Sequence, residues 1–278
     1  LNLVVITAIG STLAVGSIAI FNLANNLQHV PIGIIGISFA MAAFPVMAKS
    51  FAEENKEKFS QNFSSVFNQI LYLVLPLTML FFLLRAQIIR LILGTGQFGW
   101  IDTRLTAAAL GIFAISIFAQ SLIPLISRAF YSFHNTKTPV SISLISMGLN
   151  IGLSFGFVWI LNSNNLFSKI FSNTLKLGGI KHFAVLGLPL AFSLANMFNF
   201  FVLMKFFNKK IKNWNLKLML NSVYKIIVSC VVMAGVIYGF LYILNLFVDN
   251  ETFIGLLVQT AVSAGLGIAA YFLISLLL

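Results

Sequence analysis

Eight long apolar runs, none containing an acidic residue, dominate this chain and most constrain what it can fold into. They lie at roughly 3–24, 31–48, 67–90, 104–124, 138–161, 183–206, 222–247 and 253–277. A helix needs about 20 mostly apolar residues to cross the hydrocarbon core of a bilayer. Strands of a membrane barrel alternate polar and apolar residues, whereas these runs are continuous. The expectation is therefore an all-α polytopic membrane protein with eight transmembrane helices. Only 8% of the residues are charged and 59% are apolar. A soluble domain is about a quarter charged, and a disordered chain needs low hydrophobicity. Both classes are excluded. The single cysteine, Cys230, excludes a disulfide framework and a cysteine-based metal centre.

The net charge of +11 does not mark a nucleic-acid binder, because the Lys and Arg residues fall between the apolar runs instead of forming one stripe. In a membrane protein they report orientation and contact phospholipid head groups. The loops after the second, fourth and sixth runs carry Lys49, Lys56, Lys58, Arg128, Lys137, Lys205, Lys209, Lys210, Lys212, Lys217 and Lys225. The intervening loops carry fewer: Arg85, Arg90, Arg104, Lys169, Lys176 and Lys181. The positive-inside rule then places both ends of the segment on the cytoplasmic side of the cell membrane. The chain starts at Leu1 inside an apolar run, without a basic leader, and reads as part of something longer and not as a signal peptide. Residues 50–66 and 166–177 mix Phe or Leu with Lys at helical spacing and suggest interfacial helices. A plain connector is an equal reading of the first.

The clearest polar cluster closes the first run. Asn22, Asn25, Asn26 and His29 share one helical face, and Pro31 follows as an expected helix break. At membrane depth such a face points to protein or a watery cavity, not lipid. It either lines a cavity that hydrogen-bonds a polar head group or glues helices together. Gln120, Pro124 and Arg128 form a second polar line, with Arg128 a snorkelling anchor at the membrane boundary. The fifth run carries Ser143, Ser146, Asn150 and Ser154 at near-helical spacing; it also carries Gly148, Gly152 and Gly156, a repeated small-residue face expected to pack closely on another helix. Asn150 either lines the interior or packs, and Asn196 with Asn199 forms a weaker pair of the same kind.

No catalytic constellation or metal motif is visible. His29, His134 and His182 are far apart, and the last two suit interfacial positions. No cofactor is implied, and the chain is not expected to be an enzyme. All six acids lie in loops or at edges, so no intramembrane carboxylate is offered to a proton relay.

Three stretches together resemble the MurJ/MviN family of lipid II flippases, within the MOP exporter superfamily. They are ANNLQHVPIGIIGISFAMAAFPVMAKSFAEE at 24–54, LILGTGQFGWIDTRLTAAAL at 91–110 and SRAFYSFHNTKTPVSISLISMGLN at 127–150, the last containing Pro139. The likeness covers about residues 1–160 and fades to a hydropathy pattern beyond. Family members have two lobes of six helices and two further helices. The resemblance implies that residues 1–206 form the second lobe, 207–221 a basic cytoplasmic loop, and 222–278 two additional helices with a groove for an undecaprenyl tail.

The implied partners are an undecaprenyl-linked peptidoglycan precursor, membrane phospholipids and an N-terminal lobe lying outside this segment. The implied activity is transport of lipid II by alternating access, for cell-wall synthesis. An exporter of another lipid-linked saccharide or small molecule, and a non-transporting scaffold, are the alternatives. The family keeps an Arg just before its Pro-x-Gly turn, and that position is Asn26 here. Some members hold sodium in this lobe. Asn150 matches one of the ligands, but the acidic ligands have no counterpart in this sequence.

Overall fold

The computed structural model describes residues 2–94, 99–163, 165–175, 177–180, 183–211, 216–247, 249 and 252–278. Among them every regular element is helical: α1 Asn2–Ser11, α2 Ser17–Pro31, a π-helical turn Ile32–Ile37, α3 Ser38–Ala52, α4 Lys56–Leu83, α5 Arg85–Leu93, α6 Trp100–Ser132, α7 Lys137–Asn162, α8 Leu166–Thr174, a 3-10 turn Ala184–Leu186, α9 Gly187–Lys210, α10 Leu216–Leu244 and α11 Phe253–Leu277. The all-α membrane class therefore holds. Seven of the described helices are long and apolar enough to cross a membrane, against the eight expected, and α1, at ten residues, is not among them.

The main departure from expectation is at the start. The runs at 3–24 and 31–48 do not form two spans hinged at Pro31. Residues Ser17–Ala52 form one long helical path through Pro31, and the chain turns instead at residues 12–16. Gly16 sits there at φ 90°, a left-handed conformation that glycine adopts without steric cost. Pro31 removes one ladder donor but does not end the helix. In hydrocarbon no water competes for freed carbonyls, so neighbouring groups and local rewinding satisfy them. Residues 50–66 do not form a separate helix: 50–52 end α3, 53–55 make the turn, and 56–66 enter α4. The first turns of α4 are opened by Asn55, whose Oδ1 accepts from the Lys58 amide at 2.9 Å. Their Phe59 and Phe63 are buried, and Phe63 packs on Phe207 with ring centroids 4.2 Å apart.

Helix α6 is the axis of the lobe. In its most apolar window, 78% of the residues are buried, and α2, α3, α4, α5 and α9 pack around it. Two apolar clusters fill the interior. One joins α1, α2, the first half of α6 and the start of α9; the other joins α3, α4, the second half of α6, the end of α9, α10 and α11. Helices α10 and α11 form a hairpin whose first arm packs along α4. Tyr271 ties the second arm down, its hydroxyl donating to the Tyr72 carbonyl at 2.7 Å.

The small-residue face of α7 is not the packed one. An added Cβ at Gly148, Gly152 or Gly156 would meet nothing within 4 Å. The seam with α9 uses Ser146, Asn150 and Ser154, all buried, with Ser146 Oγ donating to the Ala195 carbonyl at 2.6 Å. The glycine face expected to pack is therefore open among the described residues, and the serine-bearing face is the one that meets α9. The close approach instead comes from the α9 side, where a Cβ at Gly187 would lie 2.9 Å from the Val158 amide nitrogen.

Candidate functional site

Because α2 continues into α3, the polar face expected at the end of one span lies instead toward the start of a single long helical path. At about 1.5 Å per residue, Asn22 lies about 8 Å and His29 about 18 Å from the helix start. Asn22, Asn26 and His29 are exposed on one side of α2. Asn25 is not among them: it is 8% exposed and faces the lobe interior. The face therefore divides into a three-residue outer strip and one inward amide. The strip presents two amides and an imidazole, which donate and accept hydrogen bonds without a permanent charge. Below it the exposed side of the same helix becomes apolar, with Ile34, Ile37, Met41, Phe44 and Val46.

Asn25 belongs to a buried network that the sequence pattern did not reveal. Gln28 Nε2 donates to Asn25 Oδ1 at 2.8 Å. Gln120 Nε2 donates to Gln28 Oε1 at 3.0 Å and to Ser116 Oγ at 2.9 Å. Ser116 Oγ approaches Ser193 Oγ at 3.2 Å, and Ser193 Oγ donates to the Ile112 carbonyl at 3.1 Å. The network joins α2, α6 and α9 where one apolar cluster gives way to the other. Buried polar groups of this kind must be satisfied, and their geometry fixes the rotation of each helix. Gln28 stands three residues from Asn25, and Ser116 four from Gln120, a helical spacing that could have marked both pairs although neither pair was singled out. Nothing in the sequence linked Ser193 to either.

The remaining candidates lie elsewhere. Asn150 is 1% exposed in the α7–α9 seam, where Ser154 Oγ donates to its Oδ1 at 3.4 Å. Arg128 is half-buried in the last turns of α6. Pro139 is buried in the first turn of α7, where the missing amide is no loss. The turn before it is capped by Asn135, whose Oδ1 accepts from the Thr138 amide at 3.2 Å while its Nδ2 donates to Thr138 Oγ1 at 2.9 Å. Asn196 Nδ2 donates to the Phe192 carbonyl at 2.9 Å within α9. His134 is exposed in the α6–α7 turn at φ 54°. Helix α8 exposes Leu166, Phe167 and Ile170 on one side. His182, Lys176, Lys181, Lys212 and Glu251 lie outside the described residues, as does the side chain of Lys217. Among the described residues no three His, Cys, Asp or Glu side chains come together to hold a metal.

A bundle of membrane-length helices around a buried axis defines a polytopic helical membrane protein. The family model for the lipid II flippase MurJ matches residues 1–258. The chain belongs to the MurJ family. A probable lipid II flippase MurJ of Bdellovibrio bacteriovorus is 30% identical over 144 residues, 52% of this chain and 28% of its own. The corresponding protein of Buchnera aphidicola subsp. Baizongia pistaciae is 27% identical over 202 residues, 73% of this chain and 35% of its own. A solved structure titled lipid II flippase MurJ, inward closed conformation, superposes with a TM-score of 0.72 at 23% identity, covering 99% of this chain and 50% of that one. That likeness shows the fold. The chain spans about half the length of the solved structure and less of these curated relatives.

Proposed function

We propose that this chain supplies one wall of a head-group cavity in a lipid II flippase, with Asn22, Asn26 and His29 lining it. The observation that carries the reading is the exposed polar strip on a helix long and apolar enough to cross a membrane, in a chain whose relatives are about twice as long or longer. A bare charge at the bilayer centre costs at least a few kcal/mol. A hydrated cavity between two lobes removes most of that cost, while the prenyl tail stays in lipid. Rocking of one lobe against the other then exposes the cavity to each side in turn. No bond is made or broken, so no catalytic residue is assigned.

In this reading residues 1–206 act as the cargo-facing lobe. Residues 207–221 form the basic cytoplasmic connection, and 222–278 the helix pair beside which the lipid tail lies. The lysine-rich end, with Lys49, Lys56, Lys58, Lys209 and Lys210, faces the cytoplasm against anionic phospholipid. Asn150 acts from within the α7–α9 seam and sets the angle at which the lobe presents its wall.

The test is complementation of a flippase-depleted bacterium by the complete gene. Wild type should rescue growth. Asn26→Leu and His29→Leu should each weaken rescue at normal membrane levels, and the pair should weaken it further. Full rescue by the double variant would remove the strip from the site. A well-inserted wild type that fails to rescue would point to a different lipid-linked cargo.

A further inference from the structure

Directly below the polar strip, the helix changes its winding. Residues Ile32–Ile37 form a π-helical turn immediately after Pro31. A π turn carries an extra residue and breaks the regular i→i−4 ladder, and such turns recur at functional sites. Pro31 has no amide to donate, so two successive turns lack full ladder bonding. Ser38 Oγ donates to the Gly33 carbonyl at 3.2 Å and fills part of the gap.

The two sides of this turn differ. On one side Gly36 lies directly on α6. An added Cβ would stand 2.6 Å from Ser121 Cα and 2.7 Å from its carbonyl oxygen. Ser121 is fully buried, and its hydroxyl has no hydrogen-bond partner. On the other side a Cβ at Gly33 would meet nothing within 4 Å. Beyond the turn, α3 is held by the buried apolar side chains Ala40, Ala43 and Met47. Before it, α2 is joined to α6 by the Gln28–Gln120 hydrogen bond and packs Ile20, Phe21 and Ala24 into the other apolar cluster, with the first half of α6, so the two sides of the turn belong to separate cores.

We propose that Pro31–Ser38 is a pivot built into this helix. The outer segment α2 turns about the Gly36–Ser121 contact and carries Asn22, Asn26 and His29 with it, while α3 stays fixed. The Gln28–Gln120 bond latches the arrangement seen here. The proposal rests on the cavity reading for its purpose but not for its geometry.

Spin-label distances in the complete protein, reconstituted in lipid nanodiscs with Cys230 replaced by Ser, test it. Labels at the exposed positions Ala19, Val46 and Leu194 give two pairs that share α9 as reference. The Ala19–Leu194 pair should show two distances and the Val46–Leu194 pair one. Deleting Ile34 returns the π turn to α-helical winding and should collapse the first pair to one distance. If that variant does not reach the membrane, Gly36→Ala carries the test, because the added methyl must displace the fulcrum and alter the first pair alone.

Single distances for both wild-type pairs, or changes that occur equally in both, would overturn the pivot. Two distances for Ala19 together with full rescue by the Asn26→Leu/His29→Leu variant would keep the pivot and remove the cavity assignment. One Ala19 distance with lost rescue would do the reverse.

Discussion

Gln120 Nε2 stands 3.0 Å from Gln28 Oε1 and bridges the axis of the lobe to the helix that carries the polar strip. Both side chains are buried, so each depends on the other for satisfaction. Replacing Gln120 with Leu takes the donor from Gln28 Oε1, and replacing Gln28 takes the donor from Asn25 Oδ1, each at a cost of about 1–3 kcal/mol. Gln28→Leu and Gln120→Leu should each lower the thermal unfolding midpoint of the detergent-purified protein. The double variant should lose less than the sum of the two. Additive losses would show that the bond contributes no coupling.

The neighbouring asparagines should behave in opposite ways. Asn25 is buried and accepts from Gln28, so Asn25→Leu should cost about 1–3 kcal/mol. Asn22 is exposed, and Asn22→Leu should stay within about 0.5 kcal/mol while weakening growth rescue. Melting curves and complementation on the same variants separate the two effects.

The α7–α9 pair offers a contrast between glycines, Gly187 on α9 and Gly152 on α7. Gly187→Ala drives a methyl toward the α7 backbone at 2.9 Å and should destabilise by about 1–3 kcal/mol. Gly152→Ala enters open space and should be neutral or stabilising by up to about 1 kcal/mol. Equal losses in thermal stability would mean that the glycine face of α7 is packed after all.

The α11 arm depends on few polar ties. The Tyr271 hydroxyl reaches the Tyr72 carbonyl, and the Tyr72 hydroxyl pairs with Ser275 Oγ at 2.9 Å. Tyr271→Phe keeps the ring packing and removes one hydrogen bond worth about 0.5–1.5 kcal/mol. Hydrogen exchange along α11 should then rise several-fold while α6 is unchanged. Uniform exchange across both helices would refute a local latch.

Much of the fold was legible in the apolar runs. The span boundaries from 104 onward fall within a few residues of the helices, except that α6 and α10 extend beyond their runs. The region around Pro31 misled because Pro reads as a stop in water but is absorbed by a long membrane helix. On α7 the glycine stripe was read as the packing face because small residues permit close approach, yet the serine stripe is the one that meets α9. The polar strip was visible through Asn22, Asn26 and His29, but its split from Asn25 was not, because the four residues occupy one broad arc. Gln28 passed unnoticed since it stood just outside that arc.

The sequence by itself determined that this chain crosses membranes as helices, because burying a backbone in lipid leaves no other way to satisfy so many amides within each run. It also determined where polar groups cluster and that carboxylates stay at the edges. Only the tertiary structure decided which side of each helix meets a neighbour. Leu, Ile and Phe are as content against lipid as against protein, so hydrophobicity cannot tell the two apart. That choice is made by contacts between distant residues, such as Gly36 against Ser121 and Gln28 against Gln120, and it separates an exposed polar strip from a buried network on the same helix.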